Sequence, residues 1–152
     1  MAEHIAYPAS PAQPSPQARS ETESHTLTEQ DAPRTGKLME IVYPENTNSQ
    51  DTLFGGHALS LMDRLAFIVA SRFARKPVVT ACTERIEFKC PVKQGEMVEL
   101  TGTVVHVGRT SLRVAIEMER EDLLSGDRSV CTTGEFVMVA VDEDGVATPI
   151  HG

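Results

Sequence analysis

A long, mostly apolar segment lies near the middle of the chain, between residues 57 and 73. Its large apolar residues do not keep to one stripe of a helix: Leu59, Leu61, Met62, Leu65, Phe67, Ile68, Val69 and Phe73. A helix that is apolar on every side packs inside a protein. Arg72, Arg75 and Lys76 crowd its C-terminal end, where the helix dipole favours cations, and Pro77 stops it. We therefore predict a buried helix over residues 57–73.

After Pro77 the apolar period changes to two. The alternation is regular in two segments, 81–88 and 112–119, while 98–107 and 130–141 are rich in β-branched residues. Short turn-forming segments separate these strands, which predicts antiparallel hairpins. A short apolar run at 37–43 precedes the helix. The order strand, helix, four strands predicts an α+β fold in which one antiparallel β-sheet wraps a long central α-helix.

The first 36 residues differ from the rest in composition. They hold five of the nine prolines and few large apolar residues. We predict a disordered or loosely attached Pro-rich tail over 1–36 and a single domain over 37–152. A partner-binding PxxP motif at Pro8–Pro11 or Pro11–Pro14 is the alternative role for the tail. The start of the chain has neither a basic region nor an apolar core, so we expect no secretory signal and a cytoplasmic protein.

Charge and cysteine content exclude several classes of function. The chain has 14 Lys and Arg against 22 Asp and Glu, a net charge of −8, which argues against a nucleic-acid partner. No apolar run reaches the ~18–20 residues that span a membrane. The three cysteines, Cys82, Cys90 and Cys131, have the wrong spacing for a zinc site. We expect buried, reduced cysteines and no metal.

Asp63 is the most informative position, because aspartate is unfavourable inside a helix. Its neighbours at i±3 and i±4, Ser60, Ala66, Leu59 and Phe67, include no cation. Either Asp63 lies on a solvated edge of the helix, or it is a functional carboxylate placed in a largely apolar site. The pattern of residues leaves both interpretations open.

The Gly55-Gly56 pair precedes the helix. The two glycines either form a tight turn or expose backbone N–H groups that stabilise an oxyanion at the helix N-terminus. Gly56 and Asp63 are seven residues apart, about 10 Å along a helix. One chain is therefore poorly able to place both groups on one reacting carbon. If both act, the spacing predicts a site shared between two chains.

Basic residues in two connections could bind an anion. Arg109, Thr110 and Ser111 form a hairpin connection that is either a plain turn or a phosphate site, since Arg binds phosphate bidentately. Lys89 and Lys93 flank another strand end. Together with Arg113, these residues are expected to form a small basic patch within an acidic protein.

Several separated motifs resemble the hotdog-fold acyl-CoA thioesterases, in particular the short bacterial hydrolases of the YciA type. They are Pro44-Glu45-Asn46-Thr47-Asn48, Thr52-Leu53-Phe54-Gly55-Gly56, Leu61-Met62-Asp63, Val78-Val79-Thr80-Ala81, Arg85-Ile86-Glu87-Phe88-Lys89, Pro91-Val92, Val104-Val105-His106-Val107-Gly108-Arg109-Thr110-Ser111 and Phe136-Val137-Met138-Val139-Ala140-Val141-Asp142. They occur in the family's order and extend over about Leu38 to Pro149. The resemblance is therefore specific and covers the whole predicted domain.

The resemblance implies the hotdog fold and hydrolysis of fatty acyl-CoA to free acid and coenzyme A. It implies a homodimer, with trimers of dimers forming a hexamer, and no cofactor beyond the coenzyme A of the substrate. It assigns Asp63 as general base or nucleophile and the Gly56 amide as oxyanion donor. It brings Asn48 and Thr52 to the site from the partner chain. It assigns Arg109, Thr110, Ser111 and Lys89 to coenzyme A.

One position departs from the family pattern. Many relatives have glycine before the Thr-Leu-Phe-Gly-Gly run, where this chain has Asp51. The geometry of that loop is therefore in question. Two other functions remain open on the same fold: an acyl-CoA-binding module without turnover, and an acyl-CoA hydratase using His57 and Asp63.

Overall fold

The computed structural model describes residues 32–152, so the predicted tail lies almost entirely outside the described residues. The elements are β1 (Thr35–Ile41), a 3-10 turn (Pro44–Asn46), α1 (Gly55–Ala74), β2 (Val78–Phe88), β3 (Met97–Val107), β4 (Ser111–Glu121) and β5 (Arg128–Ala140). All strand pairs are antiparallel and the sheet order is β1-β3-β4-β5-β2. The predicted α+β architecture is confirmed, with α1 contacting all five strands.

The core lies between α1 and one face of the sheet. In β4 the predicted alternation holds, because Leu112, Val114, Ile116 and Met118 are buried. On α1 the residues that meet them recur at helical spacing: Ala58, Leu61, Met62, Leu65, Ala66, Val69, Ala70, Phe73 and Ala74. The helix ends with Arg75 in the left-handed conformation (φ 53°), whose N–H donates to the Ser71 carbonyl at 2.8 Å. This is the usual geometry of a helix C-terminus.

The prediction that the helix is buried on every side is wrong for a single chain. Asp63, Arg64, Phe67 and Ile68 form an exposed strip on the side of α1 that faces away from the sheet. Phe67 is 49% exposed and Ile68 38% exposed. Within residues 32–152 the sheet covers only one face of the helix, so the apolar side chains of this strip, Phe67 and Ile68, are left uncovered there.

Strand β2 is less regular than its alternating sequence predicts. Its register with β5 shifts between Thr80 and Cys82 and again between Glu84 and Glu87, and Arg85 has a φ of 54°. These are β-bulges, which bend a strand and re-aim its side chains. After the second bulge Ile86 packs directly over Gly134 of β5, where a Cβ would lie 2.3 Å from Ile86 Cδ1. Any larger residue at position 134 would force the Ile86 side chain to move.

The cysteines differ in their environments. Cys131 is buried as predicted, and burial raises the pKa of its thiol to about 11. Cys90 is half-buried. Cys82 is exposed on β2, so the prediction that all three are buried is wrong for this residue. Within residues 32–152 no helix is both long and apolar enough to cross a bilayer.

Candidate active site

The Asp63 carboxylate is held by a residue of β2. Thr80 Oγ1 donates a hydrogen bond to Asp63 Oδ1 at 2.6 Å. A hydroxyl donating to a carboxylate makes a short, charge-assisted bond that restricts the rotation of the acceptor. In one chain both residues are exposed. Asp63 therefore lies on an exposed face of the helix, as the first interpretation predicts. Its carboxylate is nevertheless held in one orientation by Thr80.

Asp63 opens into a shallow cavity of about 430 Å³. Its lining mixes small polar groups with apolar walls: Gly56, Leu59, Ser60, Asp63, Thr80, Thr83 and Phe136. Gly56 and Asp63 thus line one cavity, but two helical turns apart, about 10 Å along the axis. His57 does not line it; its Nε2 lies 3.5 Å from Glu40 Oε1 of β1. The proposed hydratase pair of His57 and Asp63 is therefore not assembled in this chain.

The N-terminus of α1 presents free backbone donors. The Ala58 N–H donates to the Phe54 carbonyl at 3.0 Å and closes the first turn of the helix. The N–H groups that precede it at a helix start have no intrahelical acceptor. A Cβ added at Gly56 would meet nothing within 4 Å, so the space beside this residue is open. Gly56 is itself exposed, and an exposed N–H in the first turn of a helix can act as an oxyanion donor.

The loop before the helix is organised by the Asn48 side chain. Its Oδ1 accepts from Gln50 N–H at 2.9 Å, Thr52 N–H at 3.3 Å and Thr52 Oγ1 at 3.1 Å. Asp51 lies between them with a φ of 56°. Glycine adopts this left-handed conformation readily, and aspartate is among the few other residues that tolerate it. The departure at Asp51 therefore preserves the turn.

The segment Arg109–Ser111 connects β3 to β4, near the β2 end that carries Thr80. Ser111 pairs with Val139 of β5, and Val139 pairs with Val79 of β2. Two strand spacings, about 10 Å, therefore separate this connection from the start of β2. The Arg109 carbonyl accepts a hydrogen bond from the N–H of the buried residue Ile150 at 2.8 Å, which fixes the connection against the core. Arg109 itself is exposed.

Lys89 lies at the opposite end of β2. It lines a second cavity, of about 370 Å³, with Gly55, Phe88 and Val92. The nine steps from Thr80 to Lys89 would extend up to about 30 Å along a regular strand. The expected basic patch is therefore not formed within one chain. Arg113 also faces carboxylates, because its Nη1 hydrogen-bonds Glu84 and Glu135.

Sequence reasoning missed Thr80 as a site residue. In the sequence Thr80 is one of several β-branched residues in a predicted strand, and no local pattern distinguishes it. Only the packing of β2 against α1 brings it to Asp63. Among residues 32–152 no group of three or more His, Cys, Asp or Glu side chains is arranged to hold a metal ion.

The chain matches a family model described as the thioesterase superfamily over residues 50–126, just over half of its length. The chain belongs to the thioesterase superfamily. A thioesterase relative, an acyl-CoA thioester hydrolase of Bacillus subtilis, is 36% identical over 109 residues, covering 72% of this chain and 63% of the relative. The chain thus spans just under two thirds of that relative's length. The acyl-CoA thioester hydrolase YciA of Salmonella typhimurium is 34% identical over 116 residues, covering 74% and 87% of the two chains.

Solved thioesterase structures share the fold. A hexameric acyl-CoA thioesterase has a TM-score of 0.74 at 37% identity, covering 76% of this chain and 74% of that chain. Acyl-CoA hydrolase of Staphylococcus aureus, solved with butyryl coenzyme A and coenzyme A, has a TM-score of 0.72 at 27% identity, covering 76% and 70%. The Staphylococcus enzyme has also been solved with an asparagine, an aspartate or a threonine replaced by alanine. The predicted hotdog thioesterase fold is confirmed by these matches.

Proposed function

We propose that this protein hydrolyses acyl-CoA thioesters to free acid and coenzyme A. The observation that carries the proposal is the Asp63 carboxylate, which Thr80 holds in one orientation at the wall of an open cavity. The curated relatives described above are named acyl-CoA thioester hydrolases, which supports the same activity here.

The chemistry needs few groups. Asp63 acts as general base on a water molecule or as nucleophile on the thioester carbonyl, and the Gly56 N–H stabilises the oxyanion that forms. The carbon–sulfur bond then breaks and coenzyme A leaves as a thiolate, which needs no strong acid. Thr80 donates to one Asp63 oxygen, so the other oxygen is available to the water molecule or the thioester carbonyl.

The spacing of the residues that were replaced in the Staphylococcus aureus relative supports these roles. In that enzyme the replaced asparagine precedes the aspartate by 15 positions, and the threonine follows it by 17. Asn48 precedes Asp63 by 15 positions here, and Thr80 follows it by 17. The three side chains chosen for substitution there thus match Asn48, Asp63 and Thr80 in type and separation.

The site is proposed to be shared between two copies of the chain. Strand β2 is 11 residues long, lies at the edge of the sheet and is exposed over most of its length. Such an edge is a template for pairing. Antiparallel pairing of two β2 strands would bring Lys89 of one copy beside Thr80 of the other and cover the Phe67–Ile68 strip.

This arrangement would bring together site residues that lie far apart in one chain. Gly56, Asn48, Thr52 and Lys89 lie at one end of β2, and Asp63, Thr80 and Arg109–Ser111 lie towards the other. In a two-fold dimer each end meets the opposite end of the partner. Asn48 and Thr52 would then present the oxyanion loop to the partner's carboxylate.

Coenzyme A is proposed to bind as part of the substrate along this seam. The exposed Arg109 guanidinium would hold a phosphate, with the Thr110 and Ser111 hydroxyls as further donors and Lys89 contributed by the second copy. A trimer of such dimers would form a hexamer, and the hexameric relative supports this assembly.

The test is thiol release from a panel of acyl-CoA substrates, acetyl to palmitoyl, measured with a chromogenic thiol reagent. Asp63→Asn removes the base and is expected to lower kcat at least about a hundredfold. Asp144→Asn, the same change in the exposed turn after β5, is the matched control and should retain full activity. Coenzyme A binding without turnover by the wild type would instead indicate a non-catalytic binding module. Activity of Asp63→Asn within about threefold of the wild type would exclude Asp63 as the catalytic carboxylate.

A further inference from the structure

Glu96 is a buried carboxylate that does not line the cavity containing Asp63. It is 8% exposed, and no other charged residue within residues 32–152 is buried. It lies in the connection between β2 and β3, at the end of a tight turn over residues 93–96, which we call the β2–β3 turn. Burying a charge is costly unless an opposite charge and hydrogen bonds compensate, so the partners of Glu96 define its role.

Both carboxylate oxygens of Glu96 accept hydrogen bonds. Oε1 accepts from Arg120 Nη1 of β4 at 2.8 Å, and Oε2 accepts from the Lys93 N–H at 2.8 Å. The first bond is an ion pair between two largely shielded side chains, and the second closes the turn on itself. Because both oxygens are bonded, the carboxylate is fixed in one orientation and holds the β2–β3 turn against β4.

The β2–β3 turn in its turn holds the loop that carries Asn48 and Thr52. Lys93 forms a β-bridge with Thr52, and the Gln94 N–H donates to the Asp51 carbonyl at 2.9 Å. Thr52 is also the residue whose N–H and hydroxyl donate to Asn48 Oδ1. A displacement of the turn would therefore move Asn48 and Thr52 with it.

We infer that Glu96, through its ion pair with Arg120, is a positioning residue for the loop of Asn48 and Thr52. The inference rests on the proposed thioesterase function and adds to its site a residue that touches no substrate. Since this loop is proposed to reach the second copy, Glu96 of one copy would position groups at the active site of the other. Stability alone does not require the pair, because well-packed apolar side chains often replace a buried ion pair without loss.

Glu96→Gln tests the role, because both neighbours of the carboxylate are hydrogen-bond donors. Glutamine has the size of glutamate but only one acceptor oxygen, so one bond is weakened or lost and Arg120 loses its counter-ion. With one acyl-CoA substrate, we expect kcat to fall about tenfold or more and KM to change less than about twofold, since small displacements of catalytic groups are costly to the rate. A kcat within about twofold of the wild type would overturn the inference.

Three further variants separate the ion pair from other effects of substitution. Arg120→Met breaks the same pair from β4 and should lower kcat about as much as Glu96→Gln. Arg120→Lys keeps the cation and should stay within about threefold of the wild type, whereas a loss equal to that of Arg120→Met would contradict the role of the ion pair. Glu99→Gln is the matched control, because it removes a carboxylate that pairs with Lys37 at 3.0 Å, and it should leave kcat unchanged.

A double-mutant cycle with Asn48→Ala distinguishes positioning of the loop from general destabilisation. If Glu96 acts through the loop, adding Glu96→Gln to Asn48→Ala should lower kcat less than about twofold further. A further loss as large as that of Glu96→Gln alone would contradict the inference.

Hydrogen exchange gives a measurement that needs no activity. The Leu53 N–H donates to the Val92 carbonyl and the Gln94 N–H to the Asp51 carbonyl, so both amides should exchange faster in Glu96→Gln while the amides of α1 are unchanged. Unchanged exchange at Leu53 and Gln94 in an active enzyme would overturn this inference alone. Absence of thiol release by the wild type would refute the proposed function, and the inference with it.

Discussion

The hydrogen bond from Thr80 to Asp63 gives the most specific prediction. Thr80→Val keeps the β-branched shape that suits β2 but removes the hydroxyl that donates to Asp63 Oδ1 at 2.6 Å. A hydrogen bond to a charged group contributes about 1.5–3 kcal/mol, and the lower end applies because both side chains are exposed in one chain. A loss of about 1.5 kcal/mol in transition-state stabilisation corresponds to roughly a tenfold fall in kcat.

The assay compares kcat and KM for one acyl-CoA substrate. We expect Thr80→Val to lower kcat and leave KM nearly unchanged, because the bond orients the carboxylate and does not bind substrate. Thr80→Ser, which retains the donor, should recover most of the activity. Loss of activity in Thr80→Ser with none in Thr80→Val would show that the shape of Thr80 matters and its hydroxyl does not. Thr80→Val activity within about twofold of wild type would also refute the positioning role.

Three further predictions test other parts of the structure. Gly56→Pro deletes one amide donor in the first turn of the helix, where proline is tolerated, and should lower kcat about a hundredfold or more. Gly56→Ala keeps the N–H and places its methyl group in open space, so its kcat should stay near that of the wild type. Gly134→Ala forces a Cβ against Ile86 and should lower the free energy of unfolding by about 1–3 kcal/mol in urea titrations; an unchanged midpoint would contradict the packing of β2 on β5. Burial raises the Cys131 pKa to about 11, so only about one thiol in a thousand is ionised at pH 8. Iodoacetamide should therefore label Cys131 far more slowly in the native protein than in urea. The labelling rate of the native protein should rise as the pH approaches that pKa.

The sequence contained enough to predict the order of elements and the buried face of β4. Leu112, Val114, Ile116 and Met118 lie where strict alternation places them, because each strand of this sheet has one face on the helix. Alternation failed in β2, because the bulges around Arg85 depend on how Ile86 packs over Gly134, a contact between residues 48 positions apart. Local periodicity contains no information on such contacts.

The candidate site was predicted in part. Asp63 could be singled out because aspartate is unfavourable within a helix, and Gly56 because it precedes one. Thr80 could not, since its role exists only through the packing of β2 against α1. The apolar sequence around Phe67 and Ile68 predicts that this side of the helix is buried. The structure leaves these residues exposed, and the proposed second copy accounts for their apolar character.

The central claim is that one active site takes Asp63 from one copy and Gly56 from another. Co-expression of Asp63→Ala with Gly56→Pro tests it directly, since each homodimer lacks one essential group at both sites. In a two-fold dimer with a shared site, the mixed dimer keeps one site that has both groups, so random pairing should restore about a quarter of wild-type thioesterase activity. If Asp63 and Gly56 of the same chain act together, both sites of the mixed dimer are defective. Activity no higher than that of the separate variants, in a sample shown by mass spectrometry to contain mixed dimers, would contradict the account.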